Sequence, residues 1–226
     1  DADAGGALGR LEQLQGVFDD PLDGHGDAVV LEVDTAMSTT NSKITFNGTV
    51  NSEASETNDL TLSVSTSEVE FNGIVGGAAN GGLGAIAITG ALNLDNTITS
   101  ATSINVSTTS NLGASATTSG IQTYQGAATV SSDVTLTTTN SNVDFDSTVD
   151  AGSAGDALTI AAGSGDVTFD YAIGGTTAMG NLSITTGALT APAIKAQGTI
   201  TVTNSAASSI TGVISNGASA ATLTKA

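Results

Sequence analysis

The sequence predicts an all-β protein that folds as a parallel β-solenoid, a stack of strand-and-turn coils with about 24 residues per coil. Three observations predict this fold. One phenylalanine motif recurs along the chain, a second strand-like segment precedes it at a fixed distance, and the composition suits short strands around a narrow core. We divide the 226 residues into an acidic N-terminal segment, residues 1–27, and the solenoid repeats, residues 28–226.

The phenylalanine motif is the first observation. Four of the five phenylalanines follow an apolar residue by two positions and precede a polar turn. Phe46 and Phe71 are 25 residues apart, and Phe145 and Phe169 are 24 apart. The 74 residues between Phe71 and Phe145 are close to three further periods, with weaker copies of the motif at 94–98 and 124–128. We therefore expect the four rings to form a stack inside the solenoid.

A second strand precedes this motif. Leu60 lies nine residues before Val69, and Val134 lies nine before Val143. Each of these segments has an apolar–small–apolar form, which turns one face of a strand inward and the other outward. Because one coil cannot bury its own apolar face, the coils are expected to stack as parallel ladders. A Greek-key sandwich is the rival all-β fold, but it does not predict that one motif recurs in phase.

Glycine pairs mark the corners between strands. Gly76 and Gly77 follow one copy of the motif, and Gly174 and Gly175 follow another. Sharp corners need a positive φ, which glycine adopts without steric cost. Threonine, valine and isoleucine recur between the corners, and their branched Cβ atoms suit a pleated strand.

The charge excludes some partners. There are 22 acidic and 4 basic residues, so the net charge is -18. The chain contains no cysteine. This charge repels phosphate backbones and anionic lipid, and no stretch of about 18 apolar residues is present to span a bilayer. We predict neither nucleic-acid binding nor membrane insertion.

The N-terminal segment has a different pattern. Leu8, Leu11, Leu14 and Phe18 recur at helical spacing, and an acidic loop follows. The sequence predicts a short amphipathic helix that caps the first coil and protects its open edge.

The repeats resemble those of a known group of proteins. The segments from Gly180 to Gly187 and from Gly198 to Asn204, together with the phenylalanine coils, are similar to repeats of bacterial exoproteins of the filamentous-haemagglutinin and autotransporter-passenger kind. The resemblance covers residues 28–226. It implies a right-handed parallel β-helix, export to the cell surface or the extracellular space, and a structural or adhesive role. A host surface or a polysaccharide is the partner that such a role implies.

The sequence contains few candidate catalytic residues. His25 is the single histidine, and it lies in the acidic loop without a nucleophile motif nearby. We predict that the chain is not an enzyme. The alternative is a polysaccharide-acting β-helix enzyme that uses Asp144 and Asp146, but four basic residues are few for a site that holds an acidic sugar.

One position of the repeat is occupied by asparagine or aspartate. The residue after phenylalanine is Asn47, Asn72, Asp146 and Asp170 in successive copies. For the two asparagines we expect a hydrogen-bonded amide ladder between coils. The two carboxylates would lie about 5 Å apart in the same register, a repulsive contact unless they are bridged, protonated or splayed.

A calcium ion is the candidate bridge. Hard divalent cations take oxygen ligands, and Asp144 and Asp150 lie close in sequence to Asp146. The sequence therefore offers Asp144, Asp146, Asp150 and Asp170 as ligands of Ca²⁺. The alternative is that these are solvated side chains that lean apart, as most surface charges do.

Threonine-rich strands, such as residues 135–139 and 199–203, resemble the flat threonine arrays of ice-binding solenoids. A lattice match needs regular spacing, whereas the threonines are irregular from coil to coil along the sequence. We therefore expect them to fill the solvent face of their strands without forming a lattice.

The last strand-like segment, residues 222–226, bears on assembly. An open coil presents unpaired N–H and C=O groups. Two arrangements follow: the repeats continue as the stalk of an adhesin, or identical subunits stack end-to-end into a fibre. We prefer the stalk.

Overall fold

A computed structural model describes residues 28–216 and 222–225. Within these residues the chain is all-β, contains no helix, and forms a parallel β-solenoid of about nine turns, which confirms the predicted fold class. This part of the chain has no helix that is long and apolar enough to cross a membrane. The predicted helix with Leu8, Leu11, Leu14 and Phe18 lies outside the described residues.

The strands are short, and most have three or four residues. In chain order they are β1 Val29–Leu31, β2 Thr35–Ser38, β3 Ile44–Phe46, β4 Val50–Ser52, β5 Leu60–Phe71, β6 Leu83–Leu94, β7 Ile98–Val106, β8 Ser110–Leu112, β9 Ala116–Thr118, β10 Gln122–Tyr124, β11 Ala128–Val130, β12 Val134–Thr137, β13 Val143–Phe145, β14 Val149–Ala151, β15 Leu158–Ala161, β16 Val167–Phe169, β17 Leu182–Thr186, β18 Leu189–Ala191, β19 Ile194–Ala196, β20 Thr199–Asn204, β21 Ser209–Ile210, β22 Ile214–Asn216 and β23 Thr222–Lys225.

Parallel pairing arranges these strands in three ladders. Ladder 1 contains β2, the first half of β5, the first half of β6, the second half of β7, β10, β13, β16, β18 and β21. Ladder 2 contains β3, the second halves of β5 and β6, β8, β11, β14, β19 and β22, with Ile173 as a single bridge. Ladder 3 contains β1, β4, Val75, the first half of β7, β9, β12, β15, β17, β20 and β23.

Coil length varies more than the sequence predicts. The mean is roughly 21 residues per turn instead of about 24. Asn93 and Asn111, 18 residues apart, hydrogen-bond between adjacent coils, whereas Asp59 and Ala85 do so at a separation of 26. Pairing within the ladders fixes the register of the strands, so the difference in coil length lies in the corners. The corners lie at the surface, where the chain can gain or lose residues.

The core lies inside the three ladders. Inward residues alternate with outward ones, so a typical three-residue strand is buried, partly exposed and buried again, as in β3 and β13. The inward positions are mainly valine, isoleucine and leucine, and they form one continuous cluster along the rod. Each coil buries its apolar side by packing against its neighbours, as expected of a solenoid.

The aromatic residues form two stacks, so the prediction of a single phenylalanine stack was wrong. Phe46 and Phe71 stack in ladder 2 with ring centroids 5.1 Å apart. Phe145 stacks in ladder 1 between Tyr124 and Phe169, with centroids 5.0 Å apart on each side. All five rings are buried. The weaker copy of the motif at Tyr124 therefore does belong to the column of Phe145.

Short coils in the middle of the chain cause this change of ladder. The column of Phe71 continues through Leu94, Leu112, Val130 and Ala151, and it bypasses Phe145. The 74 residues from Phe71 to Phe145 thus hold more than three coils. Because every ladder has the same apolar–x–apolar pattern, the motif moves from ladder 2 to ladder 1 without changing its appearance in the sequence.

Glycine takes the predicted role at two corners, one after Val75 in ladder 3 and one after Ile173 in ladder 2. Gly76 and Gly174 have φ of 65° and 68°. Their N–H groups donate to Val50 and Val149 in the preceding coil, at 2.7 and 2.6 Å. A Cβ at either glycine would lie about 2 Å from a backbone carbonyl oxygen of the next coil. Only glycine suits both the conformation and the space.

A buried polar network interrupts the apolar core at β10. Gln122 is fully buried, and its Nε2 donates to the carbonyl oxygens of Ala116 and Thr137 at 3.2 and 3.0 Å and to the Thr118 hydroxyl at 3.2 Å. The Tyr124 hydroxyl donates to Gln122 Oε1 at 3.1 Å. Burial raises the pKa of Tyr124, so its hydroxyl stays protonated and remains a donor.

The network predicts coupled effects of substitution. We expect Gln122→Met to lower the free energy of unfolding by roughly 1–2 kcal/mol, because it leaves the Tyr124 hydroxyl buried without an acceptor. Adding Tyr124→Phe removes that hydroxyl, so the double variant should be no less stable than Gln122→Met alone. Urea unfolding of the two single variants and the double variant tests this. Strictly additive losses would contradict the network.

Candidate functional site

The predicted calcium ligands divide between two ladders. Asp144 lies at the centre of β13 in ladder 1, paired with Thr123 and Thr168. Asp146 and Asp170 follow β13 and β16, and their N–H groups donate to Tyr124 and Phe145 in the preceding coils at 3.0 and 2.9 Å. We call Asp144, Asp146, Asp166 and Asp170 the acidic corner.

The acidic corner has one carboxyl with a shifted pKa. Partial burial raises the pKa of Asp144, and the nearby carboxylates of Asp146, Asp170 and Asp166 raise it further. A hydrogen bond with Thr168 opposes the shift. Asp146, Asp166 and Asp170 are exposed. Burial and the neighbouring carboxylates thus act together on Asp144, the one half-buried member of the corner.

Asp150 does not join this corner. It lies at the centre of β14 in ladder 2, opposite Thr129. Its Oδ1 accepts hydrogen bonds from the N–H groups of Thr176 and Thr177 at 2.7 and 3.2 Å. The prediction that Asp150 belongs with Asp144 was wrong, because β13 and β14 lie on different ladders and an intervening corner turns the chain.

Many Asp and Asn side chains accept hydrogen bonds from backbone N–H groups of the next coil. Asp59 Oδ1 accepts from the N–H of Ala85 at 2.6 Å, and Asp166 Oδ1 accepts from that of Ala188 at 2.8 Å. The same bond between coils is made by a longer series: Asp34 to Asp59, Asn41 to Thr66, Asn51 to Ala78, Asp133 to Ala157, Asn140 to Ser164, Asn142 to Asp166 and Asn181 to Thr199. These side chains satisfy backbone donors at corners where the ladders stop. Sequence analysis missed this role.

Metal binding finds limited support. Within residues 28–216 and 222–225, no three His, Cys, Asp or Glu side chains are placed to hold a metal ion together. A Ca²⁺ bridge between Asp146 and Asp170 stays a prediction. His25, the histidine weighed as a catalytic candidate from the sequence, lies outside the described residues.

The asparagine ladder is confirmed. Asn72 Nδ2 donates to Asn47 Oδ1 at 2.9 Å, and Asn96 Nδ2 donates to the carbonyl oxygen of Asn72 at 3.1 Å. Three successive coils are linked in this way. The signal in the sequence was the recurrence of asparagine directly after Phe46 and Phe71.

A second polar ladder runs along the outside of ladder 2. Glu70 accepts from Lys43 at 3.4 Å and from Asn93 at 3.3 Å, and Asn93 accepts from Asn111 at 2.6 Å. Lys43 also pairs with Glu68, and this hydrogen bond is the main reason that the pKa of Lys43 is raised. Exposed pairs of this kind add little stability. They give the first coils of ladder 2 a charged outer face.

Comparison with known proteins adds no assignment. No protein-family model, curated protein or solved structure gave a match to this chain.

Ladder 3 carries a regular surface that sequence analysis missed. From β9 to β20 the outward side chains form two columns in exact register, which we call the threonine face. One column is Thr135, Thr159, Ser183 and Thr201, and the other is Thr117, Thr137, Ala161, Thr185 and Thr203. The prediction that the threonines are irregular from coil to coil is therefore wrong for this part of the chain.

Irregular spacing in the sequence conceals this regularity. The corners between β12, β15, β17 and β20 differ in length, so the threonines recur at unequal intervals along the chain. Ladder pairing absorbs these differences in the corners and restores the register in space.

The acidic corner predicts a pH-dependent effect. Because the pKa of Asp144 is raised in the fold, its stabilising contribution is present only below the ordinary Asp pKa, and it is lost as pH rises through the folded value. We expect Asp144→Asn to increase stability at neutral pH by less than about 1 kcal/mol, since the group is partly solvated. This advantage should vanish below about pH 3.9, the ordinary Asp value, where both side chains are neutral.

Urea unfolding at a series of pH values measures this difference. Thr168→Val is the companion variant: loss of its hydrogen bond leaves the Asp144 carboxylate less well stabilised, so the gain from Asp144→Asn should be larger in that background. A difference that does not vary with pH would contradict the assignment.

Proposed function

We propose that this chain is a structural and adhesive repeat region of a secreted or cell-surface protein, and that it is not an enzyme. The observation that carries the proposal is the continuous parallel ladder, which links successive coils from β1 to β23. Such a stack extends along one axis and presents long, repetitive outer faces. These are properties that suit a stalk or a contact surface.

Two further features support this role. The net charge of -18 favours solubility and opposes lateral aggregation of rods. The side chains of many acidic residues are engaged with the backbone of the adjacent coil, as in Asp59 and Asp150. Acidic side chains are thus used here as parts of the scaffold. The resemblance to exoprotein repeats supports the same role.

The test has two arms. In cells that make the protein, antibody labelling of intact cells and its loss after brief external proteolysis would support a surface location. Beads coated with the purified chain should adhere to a host-cell layer or a polysaccharide film more strongly than beads coated with the same chain after thermal unfolding. Labelling that requires cell lysis, or equal adhesion of both bead types, would contradict the proposal.

A second candidate is a fibre subunit that stacks end-to-end. The observation that favours it is that successive coils are joined only by parallel pairing along one axis, a contact that a coil of a second subunit can make in the same way. Head-to-tail stacking generates filaments. Light scattering and negative-stain microscopy, with and without millimolar Ca²⁺, decide between them: filaments support the fibre, and a monodisperse monomer under every condition removes it.

A further inference from the structure

The threonine face has the geometry of a two-dimensional lattice. Strands in a parallel ladder lie about 4.8 Å apart, and residues i and i+2 on one strand lie about 6.6 Å apart. The two columns repeat these spacings through β12, β15, β17 and β20 without a register shift. Seven of the nine positions are threonine, so hydroxyl and methyl groups recur at nearly constant intervals.

Threonine makes this lattice stiff. Its branched Cβ restricts χ1, and its side chain loses little conformational entropy when it is held in one rotamer. The buried residues beneath, such as Leu136, Ile160 and Ile184, are paired in the same register and support the strands from inside. A contact with a rigid periodic surface therefore costs little ordering on the protein side.

The hydroxyls of the face are free for an external partner. No described residue forms a hydrogen bond with the side-chain hydroxyl of any threonine in the two columns. Threonines at the ends of the same strands differ: the Thr118 hydroxyl donates to Gly120 and that of Thr186 to Ala188, at 2.6 and 2.9 Å. The fold thus uses the edge threonines for itself and leaves the outward ones unpaired.

The threonine face also lacks charge. None of its nine positions is ionisable, although the whole chain has 26 charged side chains in Asp, Glu, Lys and Arg. The outward columns of the other ladders include Asp144 on ladder 1 and Glu70, Asp150 and Lys195 on ladder 2. A charge orders water around itself, whereas an uncharged array of hydroxyl and methyl groups can hold water in the pattern of its own spacing.

We propose that the threonine face binds the surface of ice. The two spacings are close to those between water oxygens on faces of an ice crystal, so hydroxyls can join the lattice while methyl groups lie between its rows. The partner is a neutral solid of water molecules, which fits the uncharged face of an otherwise acidic rod. The inference goes beyond the proposed structural role, because it requires only the fold and neither secretion nor rod assembly.

The experiment compares two tyrosine variants of the full chain. Thr185→Tyr places a bulky ring in the middle of the face, and Thr129→Tyr places the same ring at an exposed outward position of ladder 2. Thermal unfolding monitored by circular dichroism establishes that both variants fold. The measurements are enrichment of the chain in a slowly grown ice fraction and inhibition of ice recrystallisation.

We expect wild type and Thr129→Tyr to enter the ice fraction and to inhibit recrystallisation at equal concentration. Thr185→Tyr should need about tenfold more protein for the same inhibition. Exclusion of the wild type from ice, or equal effects of the two variants, would overturn the proposal. Selective retention on crystalline cellulose or chitin without ice binding would also overturn it, as would a dimer in sedimentation experiments that Thr185→Tyr converts to a monomer.

Discussion

Replacing Phe145 by alanine is expected to lower the free energy of unfolding by about 3–5 kcal/mol. Phe145 is the middle ring of the stack in ladder 1, and it contacts Tyr124 and Phe169 with centroids 5.0 Å away on both sides. The substitution creates a cavity in a core whose ladder hydrogen bonds prevent collapse. Urea unfolding measures the loss. Tyr171→Ala is the control, because that aromatic side chain is 57% exposed and its loss should change stability by less than about 0.5 kcal/mol.

Double-mutant cycles test whether there are two aromatic stacks or one. Substitutions at Phe145 and Phe169 should be coupled by about 0.5–1.5 kcal/mol, the value of a stacked pair beyond its buried area. Substitutions at Phe71 and Phe145 should be additive, since these residues lie in different ladders. Coupling between Phe71 and Phe145 would favour the single stack that the sequence predicts.

Gly73→Ala is expected to cost about 3 kcal/mol, at the upper end of the usual range for overpacking. A Cβ on Gly73 would lie 1.9 Å from the carbonyl oxygen of Gly48 and 2.8 Å from the backbone nitrogen of Thr49. Both are backbone atoms of the adjacent coil, so no side chain can rotate to make room. The coils must separate, which also strains the bond between Asn47 and Asn72.

Hydrogen exchange should localise this effect. Each coil of a solenoid contacts mainly its neighbours, so amides of β3 and the second half of β5 should lose protection more than those of β15. Gly175→Ala is the matched control, because its Cβ would meet only the Ala172 side chain at 3.8 Å. Equal destabilisation by both substitutions would show that the close approach of Gly73 to Gly48 is not the cause.

The sequence predicted those features that depend on neighbours at a constant separation. Phe46 and Phe71 have the same separation as Asn47 and Asn72, and the structure pairs both sets. Local conformation was predictable too, as for Gly76, because positive φ is a property of one residue and its adjacent peptides. The pattern of buried and exposed positions within strands followed from the two-residue period of a β-strand.

The predicted calcium ligands show where this reasoning fails. Asp144 and Asp150 are six residues apart, and the sequence placed them in one group. A corner between β13 and β14 turns the chain, so the two carboxylates lie on different outer faces. Residues that are close in the sequence of a solenoid lie in the same coil. Whether they also lie on the same outer face depends on whether a corner separates them.

The sequence by itself determined the fold class. A coil of short strands with alternating apolar residues cannot form a core of its own, so successive coils must stack on one another. Which side chains share a column was decided only by the tertiary structure. Coil length varies from 18 to 26 residues, and the hydrogen bonds between paired strands within each ladder tolerate this variation in the corners but not in the strands. Register is set by pairing between strands and not by distance along the chain. Phe145 therefore lies in a different column from Phe71, and threonines that are unevenly spaced in the sequence lie in the regular columns of the threonine face.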